Sequence, residues 1–208
     1  MRSDPGPIER DQPLRIIPPQ LLLHAYRNGL FPMAHDDGEL YWHDPDPRAI
    51  FPLNELEPDK KTRQQLRSDR IEITTDRDFE FVIRACADRE ETWIDERIIQ
   101  SYLELHRLGS AHSIEVWIEE RIVGGIYGVS IGKAFFGESM FNTVANMGKV
   151  AFHALVDLLT KNGYKLFDTQ YINEFTAKLG AIEISRKEYQ QRLAEALKHG
   201  DQSSFRVT

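Results

Sequence analysis

The chain has 208 residues, ordinary apolar and aromatic content, and a formal net charge of −7 at pH 7. This length suits one large domain or two small ones, and the acidic balance argues against a protein that coats nucleic acid without selectivity. The single cysteine, Cys86, excludes a disulfide framework and a cysteine metal cluster, and its apolar surroundings indicate a core residue. The histidines show no zinc-like spacing. No apolar run approaches the roughly 20 residues that span a bilayer, and the polar first residues are not typical of a secretory signal. We therefore expect a cytoplasmic protein that binds no metal.

The first half of the chain predicts short, alternating elements. Residues 1–14 predict a flexible tail, and Pro19 opens a helix that stops at Gly29. The elements predicted after it are strands at 40–42 and 48–53, a basic helix within 59–70, a strand at 71–75, and helices at 79–87 and 96–108. This alternation without a repeat favours a small α+β unit.

The second half predicts a more regular order. It begins with an antiparallel meander of strands at 113–118, 122–129 and 134–136, followed by a long amphipathic helix at 146–162. A strand at 165–170, a short helix ending at Gly180, a strand at 181–184 and a capped final helix opened by Ser185 complete it. This order resembles a GNAT-type acyltransferase domain. We therefore predict an α+β fold with a mostly antiparallel central sheet, divided into a tail (1–14), a small N-terminal α+β domain (15–92) and a GNAT-like catalytic domain (93–208).

One acidic residue is out of place in an apolar stretch. Glu138 follows closely on Phe135 and Phe136, and burial of an unpartnered carboxylate is costly. In the strand at 165–170, Asp168 and Gln170 are two residues apart and so share a face. Spacing alone leaves open whether they form a structural hydrogen-bonded pair or a ligand site. We expect Glu138 to face them across a pocket.

The segment 59–70 is rich in basic residues. In a helix, Lys60, Arg63 and Arg67 would share one face, and this pattern alone favours a solvated face over a phosphate site. The G-x-G-x-x-G and G-x-x-x-x-G-K-[ST] cradles are absent from the sequence. The sequence therefore argues against acyl-CoA as an acyl donor.

Seven motifs, in order along the chain, resemble the leucyl/phenylalanyl-tRNA–protein transferase family. They are 27–32 (RNGLFP), 42–48 (WHDPDPR), 92–94 (TWI), 111–117 (AHSIEVW), 123–129 (VGGIYGV), 137–141 (GESMF) and 168–170 (DTQ). The resemblance implies a cytoplasmic aminoacyltransferase of the leucyltransferase type that needs no metal, CoA or other cofactor and acts in protein degradation. Such an enzyme moves Leu or Phe from aminoacyl-tRNA to the α-amino group of proteins that begin with Arg or Lys, and this tagging creates an N-degron.

The resemblance also implies roles for individual residues. The catalytic residues would be Glu138, Asp168 and Gln170. The aminoacyl and adenosine groups of the donor would contact Met33, Trp93, Ile126, Phe135, Phe152, Leu155 and Asn173. The acceptor stem of the tRNA would contact Lys60, Lys61, Arg63, Arg67 and Arg70, so the resemblance reverses the interpretation of the basic segment as merely solvated.

The sequence departs from the family pattern near the implied site. The departures are Met33 for an aromatic residue, Asn142, Thr143, Met147 and Gly148 in the segment after the GESMF motif, Phe152 for Leu, and Phe175 for His. They keep open an alternative, a divergent tRNA-dependent aminoacyltransferase that acylates a small-molecule amine or another acceptor. A non-catalytic tRNA- or peptide-binding module and an acyl-CoA N-acetyltransferase are less favoured classes.

Overall fold

The computed structural model describes residues 16–198, Gly200 and Phe205, so the predicted tail at 1–14 lies outside the described residues. The helices are α1 (Pro19–Arg27), α2 (Lys60–Gln65), α3 (Phe79–Ala87), α4 (Glu96–Arg107), α5 (Met147–Lys161), α6 (Glu174–Lys178) and α7 (Arg186–Leu197), with a 3-10 turn at Leu53–Glu55. The strands are β1 (Phe31–Ala34), β2 (Leu40–His43), β3 (Arg48–Phe51), β4 (Glu72–Thr75), β5 (Ala111–Ile118), β6 (Arg121–Ile131), β7 (Ala134–Asn142), β8 (Leu166–Gln170) and β9 (Ile182–Ile184).

A seven-stranded sheet organises the chain, in the order β4-β5-β6-β7-β8-β3-β9. Every neighbouring pair in it is antiparallel except β7 and β8, which run parallel. The meander, helix, strand, helix and strand predicted for residues beyond 110 are all present in that order. The predicted α+β class with a mostly antiparallel sheet is therefore confirmed. Within the described chain, no helix combines the length and apolar character needed to cross a membrane.

Apolar residues fill both faces of this sheet. One cluster packs α1, α3, α4 and α7 against one face, and it includes Cys86, which is confirmed as a core residue. The other cluster packs α5 against the opposite face, mainly over β5 and β6. Burial of these two apolar faces is the main force that holds the helices on the sheet.

The N-terminal region of the chain contributes to both sheets. Within the part of the chain that the structure describes, β1 and β2 pair with each other alone, as a hairpin, whereas β3 and β4 are strands of the large sheet. The division at residues 92 and 93 stays a prediction. The sequence pattern predicts no strand at β1 because Pro32 is a strand-breaking signal, but proline is tolerated in a strand that has one partner.

Two bulges interrupt the sheet where the predicted site residues lie. In the pairing of β6 with β7, Tyr127 pairs with Ser139 and Gly128 with Gly137, so Glu138 is the extra residue. In the pairing of β3 with β8, Thr169 is extra in the same way. Bulges re-aim side chains and are frequent beside functional sites. The bulge at Glu138 also explains why the alternating sequence pattern predicted that this strand would end at residue 136.

Candidate active site

A large cavity opens where β7 and β8 diverge. The two strands pair as far as Phe136 opposite Asp168, and beyond that point the cavity lies between them and α3. Its volume is about 1110 Å³. The residues that line it are Phe51, Asp78, Glu80, Phe81, Arg84, Ala85, Asp88, Arg89, Trp93, Ile126, Gly137, Glu138, Ser139, Met140, Phe141, Asn142, Thr143, Phe167, Thr169, Asn173, Phe175 and Thr176.

Glu138 lies in this cavity wall and is held by two tyrosines. The hydroxyl of Tyr26 on α1 donates to Oε1 of Glu138 at 2.6 Å, and that of Tyr102 on α4 donates to Oε2 at 3.3 Å. The two hydroxyl oxygens also lie within hydrogen-bond distance of each other, and because each hydroxyl has one proton, only two of these three bonds form at once when Glu138 is ionised. Burial raises the pKa of Glu138 to about 7, against the lowering effect of the Tyr26 hydrogen bond. Glu138 can therefore gain and lose a proton near neutral pH.

Gln170 completes the surroundings of Glu138, although it is buried and is not itself among the residues that line the cavity. Its Nε2 donates to Oε1 of Glu138 at 3.0 Å, and its backbone has a φ of +62°. A non-glycine residue in this left-handed region is uncommon and needs support from its neighbours. The support comes from Asp168, whose Oδ1 accepts from the backbone N–H of Gln170 at 2.9 Å. Of the two possibilities left open by the spacing, a hydrogen bond between the Asp168 and Gln170 side chains is not formed; the contact between these residues is the one from the Gln170 backbone to the Asp168 carboxylate.

Asp168 is fully buried and is not among the residues that line the cavity. Its carboxylate takes two hydrogen bonds from Arg48, from Nε to Oδ1 at 3.0 Å and from Nη2 to Oδ2 at 2.7 Å. The hydroxyl of Tyr189 on α7 adds a third bond at 2.7 Å. Arg48 also donates to the carbonyl of Gly29 and lies over the rings of Phe31 and Tyr189. Both carboxylate oxygens of Asp168 are therefore occupied by hydrogen bonds from buried neighbours. The fixed carboxylate can in turn hold the backbone of Gln170 at the end of β8.

The structure brings together three members of the predicted donor-binding set. Trp93, Ile126 and Asn173 line the cavity, and the side chain of Asn173 also caps α6. Met33 lies on β1 outside the cavity lining. The remaining three residues are buried in the sheet–α5 core behind the cavity wall; they are Phe135, Phe152 and Leu155.

Several residues of the site carry little signal in the sequence. Phe51 and Phe167 line the cavity, and their rings cover Phe152, with centroids 4.7 and 5.9 Å from its own. The tyrosines that hold Glu138 lie far from it in sequence, so only the packed helices bring them to it. Arg48 has the clearest signal of the group, because it ends the 42–48 motif that carries the resemblance.

The basic segment forms a short helix and a turn. α2 ends at Gln65, so Arg67 and Arg70 lie beyond it and the single helical face predicted for Lys60, Arg63 and Arg67 is wrong. Leu66, which directly follows the helix, is partly buried against the α5 core. All five basic residues nevertheless line one open groove of about 950 Å³; they are Lys60, Lys61, Arg63, Arg67 and Arg70.

Asn146 joins this groove to the neighbourhood of the cavity. Its amide, just before α5, donates to Oγ1 of Thr62 at 3.1 Å and to the side chain of Gln65. Asn142 and Thr143, which precede it closely in the chain, line the cavity. The basic groove is therefore fixed beside one edge of the cavity. Among the described side chains, no group of three or more His, Cys, Asp or Glu is placed to hold a metal ion.

Two family models and several individual relatives match this chain. The model described as "Leucyl/phenylalanyl-tRNA protein transferase" matches residues 50–194, and the model of that protein's N-terminal domain matches residues 16–46. A relative from Gloeobacter violaceus, named leucyl/phenylalanyl-tRNA–protein transferase, is 50% identical over 180 residues, which is 86% of this chain and 93% of that protein. Relatives of the same name from Ruegeria sp. (strain TM1040) and Paramagnetospirillum magneticum are 52% and 49% identical, over 85% and 88% of this chain and 85% and 91% of those proteins.

Among solved structures, a ribosomal-protein-alanine N-acetyltransferase from Brucella melitensis aligns with 52% of this chain and 87% of its own, at 13% identity and a TM-score of 0.40. Likeness at that level carries no conclusion about function. The two family matches and the extended identity to the named relatives do carry one: this chain belongs to the leucyl/phenylalanyl-tRNA–protein transferase family.

Proposed function

We propose that this protein transfers Leu or Phe from aminoacyl-tRNA to the α-amino group of proteins that begin with Arg or Lys, and so marks them for degradation in the cytoplasm. The observation that carries the proposal is the hydrogen bond between Gln170 and Glu138 at the wall of a large, partly apolar cavity, in a chain that belongs to this family. The alternative of a small-molecule amine acceptor has no observation in its favour.

The cavity wall suits an apolar aminoacyl group. Phe51, Ile126 and Phe167 line it beside Gly137 and Glu138. A Cβ on Gly137 would lie 2.8 Å from a ring carbon of Phe167, so a side chain there would displace that ring. We assign these three apolar residues to the side chain of the donor and Trp93 to its terminal adenosine. Phe135, Phe152 and Leu155 support this wall from behind.

The basic groove suits the anionic region of the donor. Phosphate contacts by Lys and Arg supply most of the sequence-independent affinity for nucleic acid. The groove is tied through Asn146 to the segment that begins at Asn142 in the cavity lining. An acceptor stem bound in the groove could therefore deliver its 3′ end at that edge of the cavity.

The chemistry requires an oriented amine and the management of protons. The nitrogen of the acceptor amine attacks the ester carbonyl carbon, an amide bond forms, and the bond from that carbon to the ribose oxygen breaks. The amine must arrive without its extra proton, and the proton that it loses on forming the amide is taken up by the departing ribose oxygen. The ester is already activated, so positioning supplies much of the rate.

We propose that Glu138 accepts the extra proton of the acceptor's α-ammonium group, which leaves the neutral amine that attacks the ester. With a pKa of about 7, its carboxylate is formed over the same range in which an α-amino group loses its proton. The hydroxyls of Tyr26 and Tyr102 fix the direction of the carboxylate. Since Gln170 donates its Nε2 to Glu138, its amide oxygen can accept from the incoming amine. Asp168 acts through the backbone of Gln170 and is a positioning residue.

The proposal is tested with charged tRNA and a reporter protein. Leu or Phe, radiolabelled and esterified to tRNA, is incubated with the enzyme and proteins that differ only in their first residue. We expect label in the proteins that begin with Arg or Lys and none in one that begins with Met. The Glu138→Gln enzyme should bind the tRNA but transfer little. Labelling that is independent of the first residue, or absent with tRNA still bound, would contradict the proposal.

A further inference from the structure

The hairpin of β1 and β2 carries an exposed aromatic surface that the proposed reaction does not use. The ring of His35 lies 4.6 Å from Tyr41 and 5.3 Å from His43 between centroids, and the two imidazole Nε2 atoms are 3.0 Å apart. Nδ1 of His43 is hydrogen-bonded to the hydroxyl of Tyr171 at 2.8 Å. We call these four side chains the hairpin surface: His35, Tyr41, His43 and Tyr171.

Two of these rings are open to solvent. Tyr41 and Tyr171 are 46% and 45% exposed, although the hydroxyl of each is hydrogen-bonded. Phe31, beneath them, is buried and packs on both His43 and Tyr171. The surface is therefore firmly supported from below and open above, as a contact surface for another molecule must be.

The hairpin surface is continuous with the candidate active site. Tyr171 directly follows Gln170, which donates to Glu138. At the other end of the hairpin, the backbone N–H of Ala34 donates to the carbonyl of Trp93 at 3.1 Å, and Trp93 lines the cavity. The hairpin surface therefore adjoins both Gln170, the hydrogen-bond partner of Glu138, and Trp93, a residue of the cavity lining.

The charge of this region is opposite to that of the basic groove. Residues 28–47 contain five acidic residues and no Lys or Arg. Two of the five, Asp44 and Asp46, are used in holding Arg186. The other three are at the turn of the hairpin, beside Tyr41; they are Asp36, Asp37 and Glu39. Three neighbouring carboxylates repel a nucleic acid strand and attract a cationic one.

The two substrates of the proposed reaction carry opposite charges, as do the basic groove and the hairpin turn. The tRNA is an anion, and the basic groove lies at the cavity edge near Asn142. The acceptor is a polypeptide whose first residue is cationic. We propose that the residues of the acceptor chain that follow its first residue run across the hairpin surface, and that the enzyme favours acceptors with basic side chains at those positions. This inference rests on the proposed function and adds the docking path of its acceptor.

The contacts expected follow from the chemistry of the surface. The rings of Tyr41 and Tyr171 offer open faces to Arg or Lys side chains, and the three carboxylates at the hairpin turn offer charge partners in water. Each such exposed pair contributes little by itself. Three pairs together are expected to change kcat/KM by about tenfold, mainly through long-range attraction of the peptide.

The test uses three acceptor peptides that share the first two residues, Arg-Ala, and carry three Lys, three Ala or three Glu at positions 3 to 5. For the unchanged enzyme we expect kcat/KM to fall from Lys to Ala to Glu, with about a tenfold total span that shrinks in high salt. In the variant with Asp36→Asn, Asp37→Asn and Glu39→Gln, the span should approach one while KM for charged tRNA stays unchanged.

A matched variant controls for net charge. Glu104→Gln, Asp157→Asn and Glu195→Gln remove three carboxylates that do not line the cavity, and this enzyme should keep the full span. Tyr41→Phe should retain activity toward the Lys peptide, and Tyr41→Ala should reduce it, because only the second change removes the ring. A photo-crosslinker at position 4 of the peptide should label the segment 35–43 or Tyr171.

The outcomes separate this inference from the proposed function. Transfer to all three peptides at equal rates, or a span that survives in the hairpin variant, would overturn the docking path and leave the transferase assignment intact. A change in KM for tRNA in the hairpin variant would assign the surface to the RNA 3′ end and would also overturn it. Loss of transfer to every peptide by the unchanged enzyme would contradict the proposed function itself.

Discussion

The amide Nε2 of Gln170 lies 3.0 Å from Oε1 of Glu138, although the strands that carry these residues cease to pair two positions earlier. Each residue lies at or next to a bulge. Glu138 is held by tyrosines of α1 and α4, and the backbone of Gln170 is held by Asp168 of its own strand. The candidate site is thus built from two irregular strand ends whose side chains meet across the opening of the sheet.

Replacement of Glu138 by Gln removes the group that ionises and keeps the shape of the side chain. If Glu138 takes the proton of the amine, transfer should fall by about 10²- to 10⁴-fold, the usual contribution of a general base. The tRNA dissociation constant should stay within about twofold, because the basic groove is distinct from this residue. Single-turnover transfer and filter binding measure the two effects. Parallel losses of transfer and binding would contradict the assignment.

The ionisation of Glu138 should set the acid limb of the pH profile of transfer. Burial raises that pKa to about 7, so the carboxylate is lost as the pH falls through 7 and transfer should fall with it. Because the hydrogen bond from Tyr26 lowers this pKa, Tyr26→Phe should move the acid limb of log kcat/KM to higher pH. Tyr164→Phe, which alters a buried hydroxyl bonded to Ser130, is the matched control and should leave the limb in place. An unmoved limb in Tyr26→Phe would exclude this coupling.

The buried pair of Arg48 and Asp168 should behave differently when one partner or both are removed. Arg48→Met leaves a buried carboxylate without its cation, and loss of one partner of such a pair typically costs about 3–5 kcal/mol of unfolding free energy. The double variant Arg48→Met with Asp168→Asn should recover some of that loss. Urea unfolding at pH 7 measures both. Transfer should stay low in the double variant, since its asparagine no longer holds Gln170 by a carboxylate. Equal stability of the single and double variants would show that the two residues are not coupled.

The basic groove should govern the salt dependence of tRNA binding. Lys60→Gln with Arg63→Gln and Arg67→Gln removes three of its charges, so the affinity for tRNA should fall. The slope of log K against log salt should become shallower by the amount that corresponds to the loss of up to about three phosphate contacts. Lys178→Gln with Lys187→Gln and Arg192→Gln makes the same charge change outside the groove and serves as the control. Fluorescence anisotropy with labelled tRNA measures both slopes. Identical slopes in the two variants would exclude the groove as the binding site.

The apolar wall should set the preference between donors. Ile126 lines the cavity, so Ile126→Ala enlarges it and should raise the ratio of kcat/KM for Phe over Leu by several-fold, since one or a few methylene groups in a pocket change discrimination by about 1–3 kcal/mol. Val123 lies on the same strand and packs in the same core without lining the cavity. Val123→Ala should therefore reduce stability without changing the ratio.

Local sequence pattern was sufficient for most of the fold but not for the site. Ser185 makes the capping bond expected at the start of α7, and Asp78 and Asp95 cap α3 and α4 in the same way, because capping depends on residues that are close in sequence. The contact between Glu138 and Gln170 could be expected from a carboxylate out of place, but its geometry depends on two bulges. Bulges follow from pairing across the sheet, so alternation along one strand cannot locate them.

The residues that hold Glu138 and Asp168 could not be predicted either, because they are far from these carboxylates in the sequence. Tyr26 contacts Glu138 across 112 positions of sequence, and Arg48 contacts Asp168 across 120. Nothing in the local pattern of either residue indicates a distant carboxylate.

Support from such distant residues has a consequence for the order in which the enzyme becomes active. The carboxylates at the site are held by Tyr26 and Arg48 from early in the chain and by Tyr189 from late in it. A nascent chain still short of Tyr189 lacks one of these three holders. Ribosome-bound fragments, which are surrounded by charged tRNA, should therefore be unable to modify the proteins near them until Tyr189 has been synthesised and has left the ribosome.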